Sequence, residues 1–148
     1  MKAKVIDSKL TYDIRRRKLW PHIKDGDYSL MIDCHTDTFH LGTFLNSKIV
    51  SIGTFIKENN SKFESNSQYR LRAMATDKNY QSKGSGKILF LKGVEMLKKR
   101  KIELLWCDAR VSAIPFYESL NMQSLNSVYS IKNIGPHKTM YLHLNKNR

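Results

Sequence analysis

The chain has 148 residues, 41% of them hydrophobic, which is enough for one folded domain with a buried core. No apolar run is long enough to span a membrane, and the first residues contain no apolar secretory segment. The formal net charge of +13 raises the question of a nucleic-acid partner, but the basic residues are spread along the chain. The cluster at 98–101 falls where a helix is predicted to end, so its charge has a structural explanation.

The cysteines indicate the redox environment. Cys34 and Cys107 lie in strand-like sequence, and neither has a Cys or His nearby at a metal-binding spacing. We therefore expect two inert thiols in a reduced, cytoplasmic protein without a metal site. Since there is no internal repeat and no low-complexity linker, we expect one domain over residues 1–148.

The N-terminal part predicts a short strand and then a helix. Lys4–Ile6 is the strand; helical spacing indicates a helix over Thr11–Trp20, capped by Thr11 and stopped by Pro21. We expect this helix to be amphipathic and to lie on the surface; direct contact with a substrate is the alternative. Asp25–Tyr28 is predicted to be a loop.

The next part predicts three antiparallel strands. Alternating apolar residues indicate strands at Thr38–Leu45 and Lys48–Lys57, and the polar residues between them predict a tight hairpin turn. Asn59–Asn66 is a polar loop. Tyr69–Thr76 has apolar residues at period two, which predicts a strand.

A glycine-rich segment separates this strand from a long helix. The polar turn Asp77–Tyr80 and residues 81–86 follow the strand, and helical spacing then runs over Lys87–Arg100. The first N–H groups of a helix lack intrahelical partners, and the helix dipole places positive charge there. Gly84 and Gly86 let an anion approach the backbone closely, so the segment is suited to a phosphate.

Among phosphate-binding motifs, only one matches. A Walker loop needs Ser or Thr after its Lys, but Ile88 follows Lys87, and the dinucleotide fingerprint needs a third glycine. Residues 81–86 do fit Gln/Arg-x-x-Gly-x-Gly/Ala, and the segment therefore resembles the coenzyme loop of the GNAT N-acetyltransferase superfamily. The resemblance implies that this loop holds the pyrophosphate of acetyl-coenzyme A, through Gln81, Ser82, Lys83, Gly84, Ser85, Gly86 and Lys87. A purely structural turn is the alternative.

A second segment strengthens the resemblance. The continuous apolar run Ile102–Asp108 predicts a strand parallel to the previous one and covered on both faces. Residues 109–122 are similar to the superfamily pattern AR-x-x-A-x-x-FY-x-x-x-GF, with Ser112 as a helix cap and Pro115 in the first turn. Asn121 stands where Gly is usual, and Asn can take the same left-handed conformation.

The remaining elements complete the superfamily's layout. Leu125–Ile134 and Thr139–Leu144 are predicted strands around a turn at Gly135–Lys138. The resemblance implies an α/β fold, with a mixed, mainly antiparallel sheet of six or seven strands flanked by helices and a parallel pair splayed around the coenzyme. Residues 14–21 also resemble the LR-x-x-x-LWP opening of one branch of the superfamily.

The resemblance implies a reaction and roles for individual residues. An amine attacks the thioester directly, and the leaving thiolate takes a proton, for which Tyr117 is the implied acid. Backbone N–H groups of Met74, Ala75 and Thr76 are implied to bind the thioester and pantetheine, and Arg110 to contact the coenzyme. The alternative for Met74, Ala75 and Thr76 is an ordinary strand end, and the alternative for Tyr117 is a tyrosine of the core.

The general base is left open among three residues. Glu64, Asp108 and His137 are each candidates, and water is another. We expect His137 to lie in an exposed turn.

The sequence thus predicts an N-acetyltransferase with acetyl-coenzyme A as co-substrate and a small-molecule or peptide amine as acceptor. We expect no membrane and no nucleic-acid partner, and leave a homodimer open. The alternative is a catalytically inactive acetyltransferase-like basic module that binds nucleic acid. The intact loop and Tyr117 argue against that loss of catalysis.

Overall fold

The computed structural model describes residues 1–23, 26 and 28–144. Its β-strands are β1 (Lys2–Ile6), β2 (Phe39–Leu45), β3 (Lys48–Lys57), β4 (Gln68–Thr76), β5 (Leu104–Arg110), β6 (Gln123–Ile131) and β7 (Gly135–His143). They form a 7-stranded sheet in the order β1-β2-β3-β4-β5-β7-β6. β4 and β5 are parallel, whereas the ladders β1–β2, β2–β3, β5–β7 and β6–β7 are antiparallel. This confirms the predicted α/β fold with a mixed, mainly antiparallel sheet.

The α-helices are α1 (Tyr12–Ile14), α2 (Ser85–Lys99) and α3 (Ile114–Ser119). The single helix predicted over Thr11–Trp20 is instead a succession of short types, because α1 passes into a π-helical segment at Arg15–Leu19. The capping role predicted for Thr11 is wrong, since its hydroxyl donates backwards to the Ser8 carbonyl at 2.6 Å. Short 3-10 helices lie at Ser8–Thr11, Met31–Cys34, Lys78–Tyr80 and Val111–Ala113.

The chain divides into two compact units, a first unit of residues 1–57 and 71–96 and a second unit of residues 58–70 and 97–148. In the first unit, β2 and β3 form the predicted hairpin, with Leu45 paired to Lys48 and Asn46 at φ +57° in the turn. The core side of α2 packs closely against β3. A Cβ on Gly93 would lie 2.2 Å from Cζ of Phe55, so only glycine fits there.

The second unit contains the parallel pairing, in which Gln68, Tyr69 and Arg70 of β4 lie beside Leu104, Leu105 and Trp106 of β5. β5 is buried on both of its faces, as its continuous apolar sequence predicts. β4 itself continues beyond this ladder into the first unit.

The last two strands have other bounds than the sequence pattern indicated: β6 begins and ends earlier than predicted, and β7 begins earlier and is longer. The turn predicted at Gly135–Lys138 is wrong, since these residues begin β7. The chain reverses before Gly135, in a turn where Asn133 has φ +68° and the Ile134 N–H donates to the Ile131 carbonyl. Asn121 has φ +71°, the left-handed conformation expected of it after α3. The loop predicted at Asp25–Tyr28 lies partly outside the described residues.

Candidate active site

The glycine-rich segment in the first unit is exposed from Gln81 to Gly84, whereas Ser85 and Gly86, which begin α2, are buried. Ser82 and Gly84 have φ +63° and +88°, and a Cβ on Gly84 would meet nothing within 4 Å. The side chains of Gln81, Ser82 and Lys83 are exposed. α2 begins at Ser85, two residues earlier than the sequence pattern indicated, so Ser85, Gly86 and Lys87 form its first turn. Their N–H groups belong to the set that has no intrahelical acceptor.

Two residues that sequence reasoning missed fix this segment in place. The hydroxyl of Thr43, a buried residue of β2, donates to the Ser85 carbonyl at 2.9 Å. Asp77, also buried, accepts a hydrogen bond from the Asn79 N–H and another from Arg17 at 3.1 Å. The pKa of Asp77 is lowered by the Asn79 N–H and then by Arg17, against the effect of burial. The sequence could have indicated the role of Asp77, because an Asp at the start of a polar turn often accepts a backbone hydrogen bond. It could not have indicated Arg17, which is far away in the chain.

The end of β4 departs from regular strand geometry. Ala73 has φ +54°, which a non-glycine residue adopts at a cost. The period-two alternation predicted through this strand therefore holds for the buried residues Tyr69 and Leu71 and breaks at Ala73. The three residues assigned to thioester binding follow directly and are half-buried: Met74, Ala75 and Thr76.

Tyr117, the implied acid, lies in the second unit on α3. Its side chain is 7% exposed and its ring meets Phe116 edge-on, with 5.1 Å between ring centroids. Burial raises the pKa of Tyr117, and the nearby Cys107 raises it further, so the hydroxyl keeps its proton at neutral pH. Ser112 does not cap α3 as predicted, because Val111–Ala113 form a 3-10 turn that leads into the helix.

Arg110 and the three candidate bases also belong to the second unit. Arg110 ends β5, half-buried, and pairs across the ladder with His137. The exposed turn position predicted for His137 is wrong, because this residue is 4% exposed within β7. Asp108 is half-buried and hydrogen bonded, whereas Glu64 lies exposed in the loop before β4.

A buried ion pair in the first unit corrects the interpretation of the N-terminal helix. Arg16 and Arg17 carry the surface character that was expected, but the side chain of Arg15 is fully buried against Asp33. Arg15 is thus a structural residue. The basic run at 15–18 could not reveal which of its residues is buried, because the partner of Arg15 lies 18 residues away.

The structure also gives the state of the two cysteines and bears on metal sites and membrane spans. Cys34 is exposed and Cys107 buried, and both are free thiols. Burial raises the pKa of Cys107, with a further contribution from Asp108. Within residues 1–23, 26 and 28–144, no group of three or more His, Cys, Asp or Glu residues is placed to hold a metal ion. Over the same residues, no helix has the length and apolar character needed to cross a membrane.

Comparison with known proteins shows the family of the chain. Residues 9–122 match the Acetyltransferase (GNAT) family. The uncharacterized N-acetyltransferase YitI of Bacillus subtilis (strain 168) is 31% identical over 148 residues, which is 100% of this chain and 99% of the relative. The chain belongs to the GNAT acetyltransferase family and is an acyltransferase of the N-acetyltransferase type.

Solved structures share the fold. An aminoglycoside 6'-N-acetyltransferase complexed with coenzyme A is similar with a TM-score of 0.80 and 11% identity, covering 100% of this chain and 99% of that one. The ribosomal-protein-S18-alanine N-acetyltransferase from Escherichia coli is similar with a TM-score of 0.66 and 20% identity, covering 99% and 96%. Both support the mixed-sheet acetyltransferase fold.

Proposed function

We propose that the protein transfers an acetyl group from acetyl-coenzyme A to a primary amine by direct attack. The observation that carries this proposal is the open backbone at the start of α2, where Ser82 and Gly84 have positive φ and no Cβ contact fills the space at Gly84. A helix N-terminus with such a loop suits a pyrophosphate. The relative solved with coenzyme A bound supports the choice of coenzyme.

The proposed roles follow the chemistry of acyl transfer. Residues of the loop bind the pyrophosphate: Gln81, Ser82, Lys83, Gly84, Ser85, Gly86 and Lys87. N–H groups of Met74, Ala75 and Thr76 bind the thioester and pantetheine, and Arg110 contacts the coenzyme. Tyr117 protonates the leaving sulfur, since a Tyr hydroxyl carries its proton at neutral pH.

We also propose that residues 1–148 act as one N-acetyltransferase domain, because the family match over 9–122 takes in residues of both units. The acceptor is a small molecule or a peptide with a free amine, and no nucleic acid takes part. The free thiols Cys34 and Cys107 favour a reducing compartment, and we propose cytoplasmic action.

Thermal unfolding with coenzymes tests this function. At 100 times the dissociation constant, acetyl-coenzyme A should add about 2.7 kcal/mol to the free energy of unfolding. Pantetheine should raise the melting temperature less and ATP hardly at all. A panel of amines, followed by thiol release, then identifies the acceptor class. No shift in melting temperature at millimolar acetyl-coenzyme A would refute the assignment.

A further inference from the structure

One ring nitrogen of His137 makes a hydrogen bond, and the other makes none to the described residues. Its Nδ1 lies 2.7 Å from the Gly135 carbonyl oxygen, and a carbonyl can only accept a hydrogen bond. Nδ1 therefore carries the proton, and in the neutral ring the lone pair is on Nε2. Nε2 makes no hydrogen bond to any residue that the structure describes. The second unit thus holds a buried imidazole with a free basic nitrogen.

The ring of His137 is held by Tyr129 of β6. The two rings stack with centroids 6.1 Å apart and 25° between their planes. The Tyr129 hydroxyl donates a hydrogen bond to Asp108 and lies 3.3 Å from the Thr139 hydroxyl. Tyr129 is thus tied to two strands, β5 and β7, and this fixes the surface on which the imidazole rests.

The carboxylate of Asp108 accepts hydrogen bonds from three side chains. Its Oδ2 accepts from Arg70 at 2.9 Å, and its Oδ1 accepts from Tyr129 and, at 3.4 Å, from Thr139. Arg70 also reaches Glu58 at 3.4 Å and lies over the Trp106 ring. Both carboxylate oxygens of Asp108 already accept hydrogen bonds, so its contacts suit a residue that positions others.

The other groups near His137 do not compete with it as a base. Burial raises the pKa of Tyr129 to about 12, with a further contribution from Asp108, so its hydroxyl stays protonated at neutral pH. Arg110 lies across the ladder and Lys62 over the Tyr129 ring, and both are cations. Of the candidates that the sequence left open, Glu64 is exposed in a loop. His137 therefore has the most suitable free atom.

The acid and this imidazole lie on opposite faces of β5. Successive residues of a strand point to opposite faces, so Cys107, which is near Tyr117, faces away from Asp108. Asp108 and Arg110 share the other face with their ladder partners Thr139 and His137.

Resting on the proposed function, we propose that His137 is the general base of acetyl transfer and that Tyr129, held by Asp108, positions its ring. The amine nitrogen forms a bond to the carbonyl carbon, and the C–S bond breaks with its electron pair on sulfur. One amine proton passes to Nε2 of His137, and sulfur receives a proton from the Tyr117 hydroxyl. The imidazolium then releases its proton to solvent and the phenolate takes one from solvent, which restores both groups.

The first test replaces His137 by Asn, whose amide can keep the hydrogen bond to the Gly135 carbonyl but has no basic nitrogen. We expect single-turnover acetyl transfer to fall by about 100- to 10,000-fold, and the acid limb of the kcat/KM profile against pH to be reduced to the limb that protonation of the amine itself produces. The melting-temperature shift with acetyl-coenzyme A should remain. The matched control is His143→Asn, an exposed residue of the same strand, which should leave all three readouts unchanged.

The second test determines which ring nitrogen of His137 carries the proton. The ¹⁵N NMR spectrum should show a protonated Nδ1 and an unprotonated Nε2 for His137, and Tyr129→Phe should slow turnover while the acid limb persists. Wild-type turnover with an unchanged pH profile in His137→Asn, or a proton on Nε2 of the neutral ring, would overturn the inference. If millimolar acetyl-coenzyme A did not raise the melting temperature of the wild-type protein, the proposed function would fail first, which distinguishes the two failures.

Discussion

The guanidinium of Arg15 and the carboxylate of Asp33 meet in two parallel hydrogen bonds, 2.8 Å from Nη1 to Oδ2 and 2.9 Å from Nη2 to Oδ1. Their side chains are 0% and 2% exposed. Arg15 also donates to the Thr54 hydroxyl at 2.9 Å and to the Tyr28 carbonyl at 2.8 Å. Through these contacts one side chain joins the N-terminal helix to β3 and to the segment before β2, so the first unit depends on this pair.

Asp33→Asn should destabilise the protein strongly. The substitution leaves the Arg15 charge buried without a counter-ion, which typically costs about 3–5 kcal/mol. Urea unfolding followed by circular dichroism measures the change in the free energy of unfolding. The control is Asp13→Asn, because the Asp13 carboxylate is 63% exposed and pairs with Arg16 and Arg17 at the surface. That change should cost less than about 1 kcal/mol. Equal losses would contradict a special role for the buried pair.

Stability should fall in acid because of the same carboxylate. Burial opposes ionisation of Asp33, but hydrogen bonds from Arg15 and from the Leu30 N–H lower its pKa overall. A lowered folded-state pKa adds stability above the unfolded value, about 3.9 for Asp, and this stability is lost as the pH falls towards the folded value. Urea midpoints between about pH 5 and pH 2.5 should therefore drop less steeply in Asp33→Asn than in the wild type. Parallel curves would mean that another group, such as Asp77, dominates.

Substitutions at Gly84 and Gly93 should distinguish an effect on coenzyme affinity from an effect on the free energy of unfolding. Gly84→Ala places a Cβ at φ +88° in open space, so the backbone strain should cost roughly 1–2 kcal/mol. Its affinity for acetyl-coenzyme A should fall about tenfold or more, because the new Cβ occupies the approach to the backbone. Gly93→Ala, the control, pushes a Cβ against the Phe55 ring and should cost about 1–3 kcal/mol or more, while the folded fraction binds normally. Calorimetric titration and urea unfolding give both quantities. Normal binding by folded Gly84→Ala would assign the loop a structural role.

Tyr117→Phe should slow chemistry and leave coenzyme binding nearly intact. The change removes one hydroxyl and keeps the ring that packs against Phe116. Loss of a general acid typically reduces turnover by about 100- to 10,000-fold, whereas loss of a structural hydrogen bond costs roughly 1 kcal/mol of stability. Single-turnover kinetics at saturating acetyl-coenzyme A are required, since slow product release hides a slowed chemical step. Wild-type rates with reduced stability would remove Tyr117 from the mechanism.

Local pattern in the sequence determined the elements and the family. The alternation in β2 and β3, the glycine-rich turn before α2 and the continuous apolar run in β5 each report the immediate neighbourhood of a residue. Period and turn chemistry are properties of a few consecutive residues, so they are readable from one chain. Even Asn121 in place of glycine was interpretable, because its left-handed conformation is a local property.

Only the tertiary structure decided which polar residues are buried and with what partners. Arg15 finds Asp33 at a separation of 18 residues and Thr54 at 39, distances over which no periodic pattern carries information. His137 resembled a turn residue beside Gly135 and Pro136, yet pairing with β5 and β6 placed it inside the sheet. Ala73 takes a positive φ that its residue type disfavours. Burial and strain of this kind result from the whole set of contacts, so no single stretch of sequence specifies them.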